Sequence, residues 1–93
     1  MNIPRQNASG CCLGDKIYIF CGFNEPSYED TIEVMDARNL LAGSRATWAL
    51  LDVIAGQIPK CSLPLVQPVG PFEILILGGN GAEATRNISV LNT

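Results

Sequence analysis

The sequence predicts an all-β fold: two consecutive copies of one antiparallel four-stranded unit, the second lacking its last strand. Three recurrences predict it. Ile17-Tyr18-Ile19-Phe20-Cys21-Gly22 returns as Ile74-Leu75-Ile76-Leu77-Gly78-Gly79 after 57 residues, Ile32-Glu33-Val34-Met35-Asp36-Ala37 as Ile88-Ser89-Val90-Leu91-Asn92-Thr93 after 56, and Ile3-Pro4-Arg5 as Ile58-Pro59-Lys60 after 55. The three anchors keep one order along the chain. A period near ~50 residues, with several strand-like runs per unit, is the signature of a β-propeller, whose units bury their apolar faces by stacking.

The elements follow in order. Residues 9–13 read as a short strand, Gly14-Asp15 as a tight turn, and residues 16–20 as a second strand rich in Ile, Tyr and Phe, which makes a hairpin. Cys21-Gly22 ends it. Residues 23–30, with Pro26 and Ser27 among acids, read as a surface loop. Residues 31–35 form a third strand, residues 37–46 a connection, and residues 47–51 a fourth strand carrying the single tryptophan, Trp48. Within the connection, residues 39–42 are too short for a lasting helix and read as loop. In the second unit residues 62–69 make a weaker strand, which Pro64 and Pro68 confine to an edge or a bulge. Residues 72–77 give the next strand, 78–87 the matching loop and 88–92 the third strand.

Strands with one wet face alternate apolar and polar residues, but residues 17–20 and 74–77 are apolar throughout, so both faces of each must be covered. In a two-unit chain each unit keeps one bare face. Four strands spaced ~4.8 Å, each about five residues at ~3.3 Å, cover roughly 300 Å². At ~25 cal/mol/Å² that face is worth on the order of 8 kcal/mol as an upper bound, comparable to the ~5–15 kcal/mol that holds a small domain together. Further units in the same chain or self-association are therefore expected, and the chain reads as fragment-like.

Composition excludes several function classes. A net charge of −3, with six dispersed Lys and Arg, offers no cluster to neutralise phosphates, so no nucleic-acid partner is expected. No apolar run approaches the roughly 20 residues of a membrane-spanning helix, and the polar start lacks a secretory apolar core, so a cytoplasmic setting without membrane contact is expected. The chain contains no histidine, which removes Ser-His-Asp and Cys-His nucleophile systems. Cys11, Cys12, Cys21 and Cys61 form no C-x-x-C pair, so no metal, cofactor or catalytic residue is expected. Cys11 and Cys12 point to opposite faces of a strand, leaving at most one able to meet Cys21, and the cysteines read as small buried thiols. The sequons at Asn7 and Asn87 read as chance triplets. Gly78-Gly79-Asn80-Gly81 follows a strand, but no helix and no Lys/Thr complete a phosphate loop.

The first unit resembles a kelch repeat. Arg5 and Ala8-Ser9-Gly10 precede a hairpin turning at Gly14-Asp15, followed by an apolar strand, a doublet at 21–22, a strand ending in an acid and a tryptophan; the second unit keeps Gly78-Gly79 intact. Cys21 replaces the first glycine of the doublet, Met35 and Leu91 replace the usual aromatic, and Asn92 stands at the place of Asp36. The resemblance implies two consecutive kelch-type propeller blades: one repeat over residues 4–56 and a partial one over 57–93. A strand that stops abruptly near a crowded axis needs residues tolerant of positive φ or lacking a Cβ. Positive φ at Cys21 costs ~1–2 kcal/mol. Cys21 is therefore expected in ordinary strand geometry, with Gly22 taking the unusual one, so that Cys21→Gly would fail to stabilise the chain.

The resemblance also implies where function lies. Loops between the second and third strands line the ligand-binding face of kelch-like propellers, which puts residues 23–30 and 80–87 on one face. Glu25, Tyr28, Glu29, Asp30, Asn80 and Arg86 are the candidate partner-binding residues, Tyr28 as aromatic contact and Arg86 as positive charge. The carboxylates of this loop, with Glu33 close behind, read as solvated charges, Tyr18 as core, and Trp48 as a ring packed between blades. The implied role is a non-enzymatic protein-interaction module of adaptor or scaffold type that binds a protein partner through its inter-strand loops. Two alternatives are blades of a propeller oxidase or isomerase whose catalytic residues lie elsewhere, and a self-assembling ring of copies.

Overall fold

The computed structural model describes residues 1–38, 43, 47–51, 61–79 and 88–93, and among these the regular structure consists of short antiparallel strands, with Ala37 and Arg38 helical after the strand that ends at Asp36. β1 (Ser9–Leu13), β2 (Lys16–Phe20), β5 (Ile32–Asp36) and β6 (Ala49–Leu50) form one sheet in that order. β7 (Leu65–Pro68), β8 (Glu73–Leu77) and β9 (Ile88–Asn92) form a second. The sheets lie together along β1 and β7. β7 is an edge strand with Pro68 as its last residue, the place expected for a residue without an N–H. The reading of 39–42 as loop falls outside the described residues.

Residues 23–30 depart from the expected plain loop. They contain a small hairpin of β3 (Phe23–Asn24) and β4 (Ser27–Tyr28), paired Phe23 to Tyr28 and Asn24 to Ser27. It forms because Gln6 bridges Phe23 from the other side, with Gln6 N–H donating to Phe23 O at 2.9 Å and Phe23 N–H to Gln6 O at 2.7 Å.

The two sheets repeat each other in register. Ser9 pairs with Phe20 and Phe20 with Ile32, as Leu65 pairs with Leu77 and Leu77 with Ile88. The backbone repeats as well. Cys21 and Gly22 have φ of 60° and 97°, Gly78 and Gly79 have 62° and 102°, and Asn7 and Leu63 have 53° and 50°. The expectation for Cys21 is thus corrected: both residues of the doublet are left-handed, because the chain must leave the strand at both positions. The crowding at the second position also recurs. A Cβ on Gly22 would stand 3.0 Å from Gln6 O and 3.1 Å from Arg5 Cβ, and one on Gly79 2.9 Å from Ser62 O and 3.2 Å from Cys61 Cβ. Cys61 therefore occupies the place of Arg5, one residue from the equivalence that Ile-Pro-Arg and Ile-Pro-Lys suggest.

Both sheets contribute to one core. Tyr18, Phe20, Cys21 and Ile32 from the first meet Cys61, Ile74, Ile76 and Leu91 from the second, with Cys11, Leu13, Val34, Leu51 and Val66 packed at the margin. Tyr18 is core as expected. Trp48 is not in this cluster; it is half-buried beside β6, and its carbonyl accepts from Asn2 Nδ2 at 2.9 Å.

Candidate functional site

The β3–β4 hairpin raises Glu25-Pro26 as its turn, and Glu25, Pro26, Ser27 and Tyr28 are exposed. Tyr28 retains 38% of its surface while its ring leans on Phe23, centroids 5.2 Å apart at 59°. An aromatic with one face packed and the other open presents contact area at low entropic cost. The Glu25 carboxylate at the turn of the same hairpin is an acceptor only.

Glu29 and Asp30 are half-buried and belong to the base of the hairpin. Glu29 N–H donates to Gly22 O at 2.8 Å, and the Thr31 hydroxyl donates to Glu29 Oε2 at 3.2 Å. Glu25 and Tyr28 are thus both exposed on the hairpin, while Glu29 is engaged from within. Asn80 and Arg86 lie outside the described residues.

Beneath the hairpin sits a buried ion pair. Arg5 Nε stands 3.0 Å from Glu33 Oε2, with both side chains at 0% exposure. The remaining guanidinium donors reach Cys21 O at 2.7 Å, Thr31 O at 3.0 Å and Thr31 Oγ1 at 2.9 Å. A planar fork suits this set, since its donors are fixed in direction. Glu33 also accepts the Asn2 N–H, and the Ile3 N–H at 3.4 Å. Burial alone would push the Glu33 carboxyl up, but the hydrogen bonds from Asn2, Arg5 and Ile3, with the Arg5 charge, hold it below the ordinary carboxylate range. The sequence reading of Glu33 as one more solvated acid is corrected: it is wholly buried and anchors the N-terminal arm and the doublet together. One signal could have revealed it, a lone charge between Ile32 and Val34 in a strand whose faces must both be covered.

The cysteines differ from the uniform reading as small buried thiols. Cys12 is exposed, Cys11 half-buried, and Cys21 and Cys61 fully buried. Cys11 pairs with Tyr18 and Cys12 with Ile17, on opposite faces as expected. Cys21 meets Cys61 instead, their thiols hydrogen-bonded across the two sheets. That bond and burial push the Cys21 thiol up, and the same bond lowers Cys61 against its burial.

At the opposite end, an open groove of about 380 Å³ lies between the β1–β2 turn and the segment before β8, lined among others by Asp15, Lys16, Arg38 and Phe72. Its charges pair locally: Arg38 Nη2 contacts Asp36 Oδ2 at 2.7 Å, and Arg38 Nε stands 3.7 Å from Asp15.

Comparison with known families matches residues 4–39 to the kelch motif. The matched span runs from the N-terminal arm through β5 and includes Arg5, the doublet, the β3–β4 hairpin and Glu33. No curated protein matches the chain.

Proposed function

We propose that this chain, which carries a kelch motif over residues 4–39, forms two consecutive blades of a kelch-type β-propeller and works as a non-enzymatic protein-interaction module of adaptor or scaffold type. The observation that carries the reading is the β3–β4 hairpin. It projects an exposed aromatic and a carboxylate from a base held by the buried Arg5–Glu33 pair and the Gln6 bridge. Rigid loops on a sheet scaffold are how such folds present binding residues. A protein partner would meet Tyr28 and Glu25 first.

The test is site-specific photo-crosslinking in cells. A photoreactive aromatic at position 28 should yield a covalent adduct with another polypeptide, reduced by Glu25→Ala, while the same group at Asn92 should not. Equal adducts from both positions would count against the hairpin as the contact.

A second reading concerns the assembly. On the outer face of the second sheet Leu65, Leu77 and Ile88 stand in one row and Leu75 and Val90 in the next, with Leu65 at 61% and Ile88 at 71% exposure. A contiguous apolar sheet face in water supports a cover, supplied by a further blade or by a second copy of the chain.

A further inference from the structure

Cys21 and Cys61 lie where the two sheets are sewn together. Both are fully buried in the shared core, and their thiols are hydrogen-bonded to each other. The backbones are clamped around the sulfurs: Gly22 N–H donates to Cys61 O at 2.8 Å, Cys61 N–H to Glu29 O at 3.3 Å, and Arg5 Nη1 to Cys21 O at 2.7 Å. A hydrogen bond from the residue after one cysteine to the carbonyl of the other keeps the two chains within the reach of a disulfide, whose Cα atoms stand roughly 4.4–6.8 Å apart. Gly79 closes the far side, since a Cβ there would come 3.1 Å from Cys61 Sγ.

We propose that Cys21 and Cys61 form a dithiol that hydrogen peroxide converts into a disulfide, covalently joining the two sheets. Either sulfur can open the reaction; in the Cys61-first order, Cys61 is the attacking sulfur. Its sulfur attacks one peroxide oxygen, the O–O bond breaks, and the departing hydroxide takes the Cys61 proton to leave as water, giving a sulfenic acid. The Cys21 sulfur then attacks the Cys61 sulfur. The S–S bond forms, the S–O bond breaks, and the leaving hydroxide takes the Cys21 proton as a second water. Two thiols are oxidised and one peroxide is reduced to two waters. A peroxide is small enough to enter where a bulky disulfide reagent is excluded by full burial of both sulfurs.

The bond joins residues 40 positions apart, so it removes freedom from the unfolded chain and raises the melting temperature by on the order of 10 °C. In a reducing compartment the pair rests as thiols, and the link is reversible.

Tryptic cleavage after Lys16, Arg38 and Lys60 puts Cys11 with Cys12, Cys21, and Cys61 on three separate peptides. The chain is treated with hydrogen peroxide, alkylated in denaturant, digested without reductant and mapped by mass spectrometry, with melting curves before and after dithiothreitol. The expected product joins the Cys21 and Cys61 peptides, melts on the order of 10 °C higher, and reverts on reduction. The Cys11→Ser/Cys12→Ser variant must give the same product, because neither thiol takes part. Separately alkylated Cys21 and Cys61, a joined product without the rise in melting temperature, or a link that requires Cys12 would each overturn the proposal.

Discussion

Cys21 and Gly78, 57 residues apart, hold the same left-handed turn, with φ of 60° and 62°. One pays the steric penalty of a Cβ at positive φ and the other does not. Stability at Cys21 should therefore invert the usual order. In ordinary strand geometry Ala is more stable than Gly by roughly 0.5–1 kcal/mol, whereas at this φ the Gly variant escapes ~1–2 kcal/mol of strain. Cys21→Gly is expected to be more stable than Cys21→Ala by about 1 kcal/mol in urea unfolding, both variants having lost the same buried sulfur. Cys21→Ala as the more stable of the two would refute the left-handed assignment.

Arg5 and Glu33 are each other's buried counter-charge. Removing one partner leaves the other uncompensated, so Arg5→Ala should destabilise by ~3–5 kcal/mol. Arg5→Lys should recover little, because a single ammonium cannot reach Glu33, Cys21 O and both Thr31 oxygens along the directions the guanidinium takes. Denaturant midpoints of the two variants decide this; full recovery by Lys would mean that charge alone matters.

Acid should loosen the chain through the same pair. The folded pKa of Glu33 lies below its unfolded value of ~4.3, so its contribution is present above that pH and is lost as the pH falls through the folded value. Asp36 behaves alike in sign, its carboxyl held down to about 2 first by the Arg38 side-chain hydrogen bond, but its partner Arg38 is exposed and solvent screens the pair, so its effect on melting should be slight. Melting temperatures from pH 6 to pH 2 should fall for the native chain, while Glu33→Gln should start lower and change less. An equally steep fall in Glu33→Gln would place the acid sensitivity elsewhere.

The apolar rows on the second sheet predict association. The chain alone should sediment above its 10.0 kDa monomer mass, and Leu65→Lys/Ile88→Lys should return it to monomer without lowering the melting temperature, since both side chains are more than half exposed. A monomeric native chain at tens of micromolar would remove the case for a second copy as the cover.

Much of this architecture is legible in the residues. β1, β2 and β9 are found at their expected bounds and β5 within one residue, because continuous apolar runs and the Gly14-Asp15 turn leave little choice of register. The β3–β4 hairpin is not legible: its two-residue strands carry no periodicity, and it exists because Gln6, 17 residues before Phe23, lends it a backbone bridge. The Arg5–Glu33 pair escapes for the same reason, since the partners are 28 residues apart and each alone looks like a surface charge. The Ile-Pro-Arg/Ile-Pro-Lys likeness misplaces the second copy by one residue, because side-chain similarity outweighs there the backbone geometry that equates Asn7 with Leu63. Tyr28 and Glu25 are found in the sequence as types in a loop; their shared exposure on one small hairpin follows only from the structure.

Two amides decide whether the sheets form one cooperative pair of repeats. Gly22 N–H donates to Cys61 O and Leu63 N–H to Asn7 O, both across the junction. In native-state hydrogen exchange they should be protected to the same free energy as strand amides such as Ile76, because opening the junction would expose the core that both sheets share. Rapid exchange of Gly22 and Leu63, with the strands still protected, would mean two independent sheets and would defeat the blade-pair interpretation.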